Sequence, residues 1–357
     1  GSRKLSASAH LLLPGLPMKH CLLPFALLYD GVTRCRNTLF DCGWLKEHTF
    51  AIPTICVGNL AVGGTGKTPH VEMIVGWLLE TGIKTAVLSR GYGRKTHGFR
   101  LLTAGDSAES VGDEPLQMFR RFKQQGNVSA VCEDRVKGIK RLTEICPQPE
   151  AIVLDDAYQH RYVKPGLNIL LTEYGRPFDR DFLLPMGRLR EAARGARRAD
   201  VIIVTKCPPT LPECERQQFI TRLKCRDNQA VFFSTVEYSA FPPTTDAGLV
   251  TGIAHPAPLL QHLQAAGVAV EHLAFSDHHR FTAADREAII QLADRHPFLF
   301  TTEKDATRLE LLQLPPQVQS KINAIPIATR VLFDEATTLR QIITDHVATN
   351  SSRCSVD

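Results

Sequence analysis

The stretch PTICVGNLAVGGTGKTPH, Pro53 to His70, decides the fold. Its apolar run TICV has the look of a buried strand ending near Gly58, and glycines 63, 64 and 66 then lead into TPHVEMIVGWLLETG, which is spaced as a helix. Small residues in such a turn let backbone N–H groups close around phosphate oxygens, and the helix start adds positive potential. The pattern approaches G-x-x-x-x-G-K-[ST], with Ala61 where the first glycine should fall. Gly63, Gly64, Thr65, Gly66, Lys67 and Thr68 are therefore the expected nucleotide cradle. Lys67 is expected to reach the β- and γ-phosphates and Thr68 to ligate Mg²⁺. A bland alternative makes this a tight strand–helix turn with Lys67 as a surface lysine. The strand before and the helix after argue against it.

A companion element lies downstream in AIVLDDAYQH, where four apolar residues carry Asp155 and Asp156 to the end of a strand. A phosphate loop needs a carboxylate there for the metal that joins the β- and γ-phosphates. Further strands are expected in KTAVLSR, VSAVC, LNILLTE and VIIVTK, separated by helices in EPLQMFRRFKQQG and DRVKGIKRLTEI. The rhythm predicts an α/β fold: a P-loop NTPase-type doubly wound, mostly parallel sheet with ligands at the carboxyl ends of its strands. VFFSTVEYSAFPPTT reads as a β-rich hinge within 228–245, after which GLVTGIA, VAVEHLAF, FLFTT and NAIPIA restart the pattern. The expected division is 49–227 for the nucleotide-binding domain and 246–350 for a smaller C-terminal α/β domain. Residues 351–357 are expected to be a disordered tail. Residues 1–18 are set aside as an extraneous or disordered start, with Met18 as a candidate initiator.

The 357 residues are 43% hydrophobic and 22% charged, with a formal net charge of +5. That balance is too weak to indicate nucleic-acid binding and suits work near phosphates or an anionic surface. Ten cysteines without a C-x-x-C pair point to free thiols in a reducing compartment, and the histidine spacing does not suggest a transition metal. The run CLLPFALLY is too short to span a bilayer, and no signal-peptide cleavage pattern follows. Within 19–48, Phe25, Leu28, Val32, Cys35, Leu39 and Trp44 recur at near-helical spacing. This N-terminal amphipathic helix either packs on the core or lies at a membrane interface with its arginines at headgroups.

Three further pieces bear on the phosphate acceptor. CEDRVKG sets Asp134 just after a strand; LLPMGRLREAARGARRAD gathers Arg188, Arg190, Arg194, Arg197 and Arg198 around Glu191; FSDHHRFT carries Asp277 and His278. With VGNLAVGGTGKTP, LSRGYGRK, GDEP and LDDAYQHR in the same order, the chain resembles the tetraacyldisaccharide 4′-kinase family from about Leu23 to the last helix. That resemblance implies transfer of the ATP γ-phosphate to the 4′-hydroxyl of a tetraacyldisaccharide 1-phosphate, the lipid A precursor, at the cytoplasmic face of the inner membrane. The protein would sit there peripherally, on an anionic surface. The resemblance implies Asp134 as general base paired with His278, and Thr68, Asp155 and Asp156 as metal ligands. Tyr92, Arg190 and Glu191 would bind substrate or orient phosphate. Ala192 stands where many relatives have proline, and His279 competes with His278 for the partnership with Asp134. The alternatives are a deviant P-loop ATPase or GTPase, against which Val62 counts because such loops carry lysine there, and a nucleotide-switched membrane-binding module.

Overall fold

The structure, a computed structural model, describes residues 22–145, 148–277 and 279–351. Helix α1 (Leu23–Asp41) comes first and is followed by strand β1 (Thr54–Asn59) and helix α2 (Lys67–Glu80). Next come β2 (Thr85–Ser89), β3 (Arg100–Leu101), α3 (Ala108–Val111), α4 (Asp113–Phe122) and β4 (Val128–Val131). The chain continues through α5 (Arg135–Thr143), β5 (Ala151–Asp155), β6 (Leu167–Glu173), β7 (Val201–Thr205), α6 (Glu213–Leu223) and β8 (Ala230–Tyr238). Every residue of β1, β2, β5 and β7 is buried, as expected of strands covered on both faces.

A second group holds β9 (Asp246–Thr251), α7 (Ala257–Ala265), β10 (Ala269–Ala274), α8 (Ala283–Arg295) and β11 (Leu299–Thr302). It ends with α9 (Glu303–Leu309), α10 (Pro316–Gln319) and β12 (Ile322–Ile325). The last elements are β13 (Ile327–Val331) and α11 (Ala336–Ser351). Two sheets result, a nine-stranded one ordered β13-β8-β7-β6-β1-β5-β2-β4-β3 and a four-stranded one ordered β10-β9-β11-β12. Pairing is parallel throughout except at the two margins of the large sheet, β3 with β4 and β13 with β8. The expected α/β, mostly parallel architecture is what the chain adopts.

Two expected boundaries need correction. The segment read as a hinge over 228–245 is mostly strand β8, whose Phe232, Phe233, Ser234 and Thr235 are buried in the large sheet. The expected C-terminal unit 246–350 also ends early, because β13 pairs with β8 and α11 packs Leu339, Ile343 and Val347 onto the core that α2 covers. Pro326 is the reason. It cannot donate to a ladder, so NAIPIA breaks into two short strands that join different sheets. Helices α3, α6, α9 and α10 had no counterpart in the sequence reading.

Helix α2 shows why the site is rigid. Val71, Ile74, Val75 and Leu78 are fully buried against β1 and β5, each stabilising the packing by about 1.5–3 kcal/mol. The glycine loop thus runs into the first turn of a helix bolted to the centre of the sheet.

Candidate active site

Strand β1 lies between β5 and β6, with Val57 opposite Asp155, so the loop after β1 and the acids after β5 emerge at one sheet edge. Gly63 and Gly66 have φ of 104° and 84°, in the left-handed region where other residues are strained. Ala61 is explained by its pairing. It forms an antiparallel bridge with Leu189, flanked by Val62 N–H to the Arg188 carbonyl and Arg190 N–H to the Leu60 carbonyl, both at 2.7 Å. An extended, paired residue does not need to be glycine.

Lys67 opens α2 and its Nζ lies 3.8 Å from Asp156 Oδ1. Arg190 Nη1 donates to both oxygens of Asp156 at 3.1 Å. Burial pushes the Asp156 carboxyl up, but Lys67 and Arg190 outweigh it and hold the group below its usual range. Asp155 differs. It is buried, accepts one bond from Ser89 Oγ at 3.0 Å, and has an Oδ1 without a protein donor among the described residues. Burial, then the nearby charges of Glu114 and Asp156, raise its carboxyl to about 7. A buried carboxylate oxygen without a donor beside a second acid fits a hard cation such as Mg²⁺, which takes oxygen ligands and borrows the rest from phosphate and water. No cluster of three or more His, Cys, Asp or Glu able to hold a metal occurs among the described residues.

Asp134 is the N-cap of α5, accepting from Lys137 N–H at 3.1 Å, and its side chain is 45% exposed. It faces solvent while being fixed by the helix it starts. Its neighbour Arg135 is almost fully buried and donates to the Cys132 carbonyl at 2.6 Å and the Asp155 carbonyl at 3.0 Å. One guanidinium thereby joins the Asp134 turn to the Asp155 turn. Tyr92 is 75% exposed, in a loop tied down by Arg94 donating to Glu133 at 2.6 Å, next to Asp134. His278 lies outside the described residues. His279 is committed elsewhere: its Nε2 bonds Asp285 Oδ2 at 2.9 Å and its ring stacks on Phe275.

Glu191 is held by side chains from three separate segments of the chain. It is buried, with Arg198 donating to both its oxygens at 2.8 and 2.9 Å, Gln159 to one and Asn37 to the other. The arginine cluster is likewise mostly neutralised: Arg188 pairs with Glu173 and Asp181, and Arg194 lies 3.7 Å from Asp30. Among these, Arg190 is the one joined to the acids of the LDD turn. Helix α1 is inverted relative to a core helix. Ala26, Asp30 and Phe40 are its buried residues, whereas Phe25, Leu28 and Val32 are 62%, 69% and 62% exposed. Its inward face holds the site's loops, Tyr29 donating to the Arg190 carbonyl and Arg36 to the Gln159 carbonyl, each at 2.8 Å. Arg36 is therefore not available to headgroups.

Sequence reasoning missed Ser89, Glu114, Arg135, His160 and Lys206. Glu114 is the D-E acid of GDEP, and its Oε1 accepts from Lys304 of α9 at 3.1 Å. Burial, with Arg135 beside it, lowers His160 to about 4, so this imidazole near Asp134 is neutral. Each of these except Lys206 lies within a quoted motif, but a motif string does not say which of its letters turn inward.

Residues 18–348 match the family described as tetraacyldisaccharide-1-P 4'-kinase. The tetraacyldisaccharide 4'-kinase of Bacteroides thetaiotaomicron is 41% identical over 362 residues, covering 94% of each chain. That of Phocaeicola vulgatus is 42% identical over 352 residues, covering 92% of this chain and 95% of its own. A crystal structure described as the apo form of LpxK from Aquifex aeolicus in complex with ATP superimposes with a TM-score of 0.71 at 28% identity, over 93% of this chain and 100% of that one.

Proposed function

The chain belongs to the tetraacyldisaccharide-1-P 4'-kinase family, and from that premise we propose how its residues divide the reaction. The protein is an ATP-dependent kinase of lipid A biosynthesis that phosphorylates the 4′-hydroxyl of tetraacyldisaccharide 1-phosphate. Gly63 to Thr68 cradle the ATP phosphates, and Lys67 balances the charge that builds on the β- and γ-groups. Asp155 and Thr68 would hold Mg²⁺, with Asp156 beside them aligning Lys67 and Arg190, and the cation would supply positive charge against that of the ATP phosphates. Asp134 accepts the proton of the 4′-hydroxyl as that oxygen bonds to the γ-phosphorus and the bond to ADP breaks. His278 supports Asp134; the engagement of His279 with Asp285 favours this choice. Tyr92 lines the acceptor side. Glu191 positions the loops instead of touching phosphate.

The observation that carries this reading is Arg135, which ties the turn of exposed Asp134 to the turn of the metal-fitting Asp155. The nucleotide and acceptor acids then belong to one rigid edge. The membrane part of the proposal, peripheral attachment to the anionic cytoplasmic face of the inner membrane, rests on the outward apolar face of α1. Among the described residues no helix is long and apolar enough to cross a membrane.

The test is transfer of label from γ-phosphate-labelled ATP to the lipid acceptor in detergent micelles. Wild-type protein should label the lipid. Asp134→Asn should lower kcat by about 10²–10⁴ while KM for ATP changes less than about twofold. Asparagine also caps helices well, so the variant keeps α5 and lost turnover cannot be put down to unfolding. Near wild-type turnover of Asp134→Asn would remove Asp134 as the base. Phosphate release that does not require lipid would instead favour an ATPase.

A further inference from the structure

The phosphate loop is gripped from behind. Three consecutive carbonyls, those of Gly64, Thr65 and Gly66, each accept a hydrogen bond from a side chain beyond the loop's own turn: Lys206 Nζ to Gly64, Thr205 Oγ1 to Thr65 at 2.9 Å, and His70 Nδ1 to Gly66 at 2.7 Å. A peptide is planar with its N–H opposite its C=O, so a held carbonyl also aims the next N–H. The Gly66 carbonyl therefore sets the Lys67 N–H, one of the first amides of α2, which has no intrahelical partner and is free to meet an anion.

His70 is the member of this set that acts from within the helix. Its ring lies beneath Gly66, where an added Cβ would meet Nδ1 at 3.6 Å, and the residue is 2% exposed. A carbonyl can only accept, so Nδ1 carries the proton, and burial keeps the ring neutral. Nε2 is then the acceptor, and it takes the hydroxyl proton of Ser234 at 2.9 Å. Ser234 belongs to β8 and sits opposite Val331 of β13, the strand by which the chain returns from the small sheet. The Gly66 carbonyl thus fixes the tautomer, and the Ser234 hydroxyl, which can donate or accept, turns to Nε2 and holds the ring in place.

We propose that His70, oriented by Ser234, is a positioning residue of the phosphate loop that fixes the Gly66–Lys67 peptide for ATP binding. This rests on the reading that the loop holds the ATP phosphates. The two ring nitrogens can be replaced one at a time, because the amide nitrogen of asparagine falls near Nδ1 and that of glutamine near Nε2. His70→Asn keeps the donor to Gly66 and should hold KM for ATP within about twofold. His70→Gln loses it and should raise KM for ATP about three- to tenfold, the worth of one hydrogen bond, leaving KM for the lipid acceptor unchanged. Equal effects of the two variants on KM for ATP, or an effect confined to thermal stability, would overturn the proposal. Imidazole ¹⁵N shifts of the wild-type protein give a check free of folding defects: a protonated Nδ1 and bare Nε2 are expected, and a proton on Nε2 would refute it. Lys67→Ala separates the premise. It should weaken ATP binding; unchanged ATP affinity would remove the loop from the phosphate site and this inference with it.

Discussion

Single side chains in this site carry their function as a cost to the fold. Asp155 is buried with an oxygen that has no donor among the described residues, and its carboxyl is raised to about 7 from an ordinary 3.8. Between those values the folded protein holds a proton that the unfolded chain has released, so this group's contribution to stability is present at low pH and lost as pH rises toward 7. Buried Glu72, raised to about 7 chiefly by burial, has the same sign. His70 runs the other way, since lowering from 6.5 to about 4 makes its contribution present above 6.5 and lost as pH falls toward 4. Total stability mixes these, but a difference isolates one. Asp155→Asn should lose turnover and yet raise Tm of the ligand-free protein, by an increment that grows from pH 4 to 7 and is flat above. Each kcal/mol relieved is worth about 2–4 °C. A constant or negative increment across that range would mean that Asp155 is not a strained acid.

At the scale of elements, α1 shows how a helix can be amphipathic and still face outward with its apolar side. Its polar residues Tyr29, Asn37 and Arg36 grip the loops of Arg190, Glu191 and Gln159, leaving Phe25, Leu28 and Val32 to solvent. Replacing these three by serine removes little packing, so Tm should stay within about 2 °C. Binding to anionic vesicles should fall by about tenfold or more, since each inserted apolar side chain is worth on the order of 1 kcal/mol. Trp44, 81% exposed beyond the helix end, offers the readout as a blue shift of its emission on vesicle binding. Wild-type and triple-serine proteins that partition equally would confine α1 to a structural role. The spacing of these residues was readable in the sequence. Which face turns inward was not, because it depends on polar partners more than 100 residues away.

For the whole molecule, the two sheets meet where α4 and α9 exchange charges. Arg308 donates to Asp113 at 3.1 Å and lies 3.2 Å from Asp305, Lys304 reaches Glu114, and Arg121 stands between Glu72 of α2 and Glu303. The helix that starts at the phosphate loop is thus linked by charge to the second sheet. Arg308 and Asp113 have side chains 9% and 12% exposed, so salt screens them weakly. A double-mutant cycle of Asp113→Ala and Arg308→Ala should give a coupling of about 1–3 kcal/mol in thermal unfolding. A coupling near zero would make the contact incidental. None of these partners was paired by the sequence reading, although GDEP was quoted as a motif.

What the sequence determined by itself is local: apolar runs of strand length, the glycine turn leading to Lys67, and acids at strand ends, all set by backbone sterics and burial over a few residues. It also carried enough motif order to identify the family. Tertiary structure decided the rest. It sent β13 and α11 back to the large sheet, paired buried Glu191 with Arg198, excused Ala61 through its bridge to Leu189, and put His70 under Gly66. The physical reason is common to all four. A hydrogen-bond partner or a packing face distant in sequence is chosen by which surface is left unsatisfied once the sheet has assembled, and no short-range pattern encodes that choice.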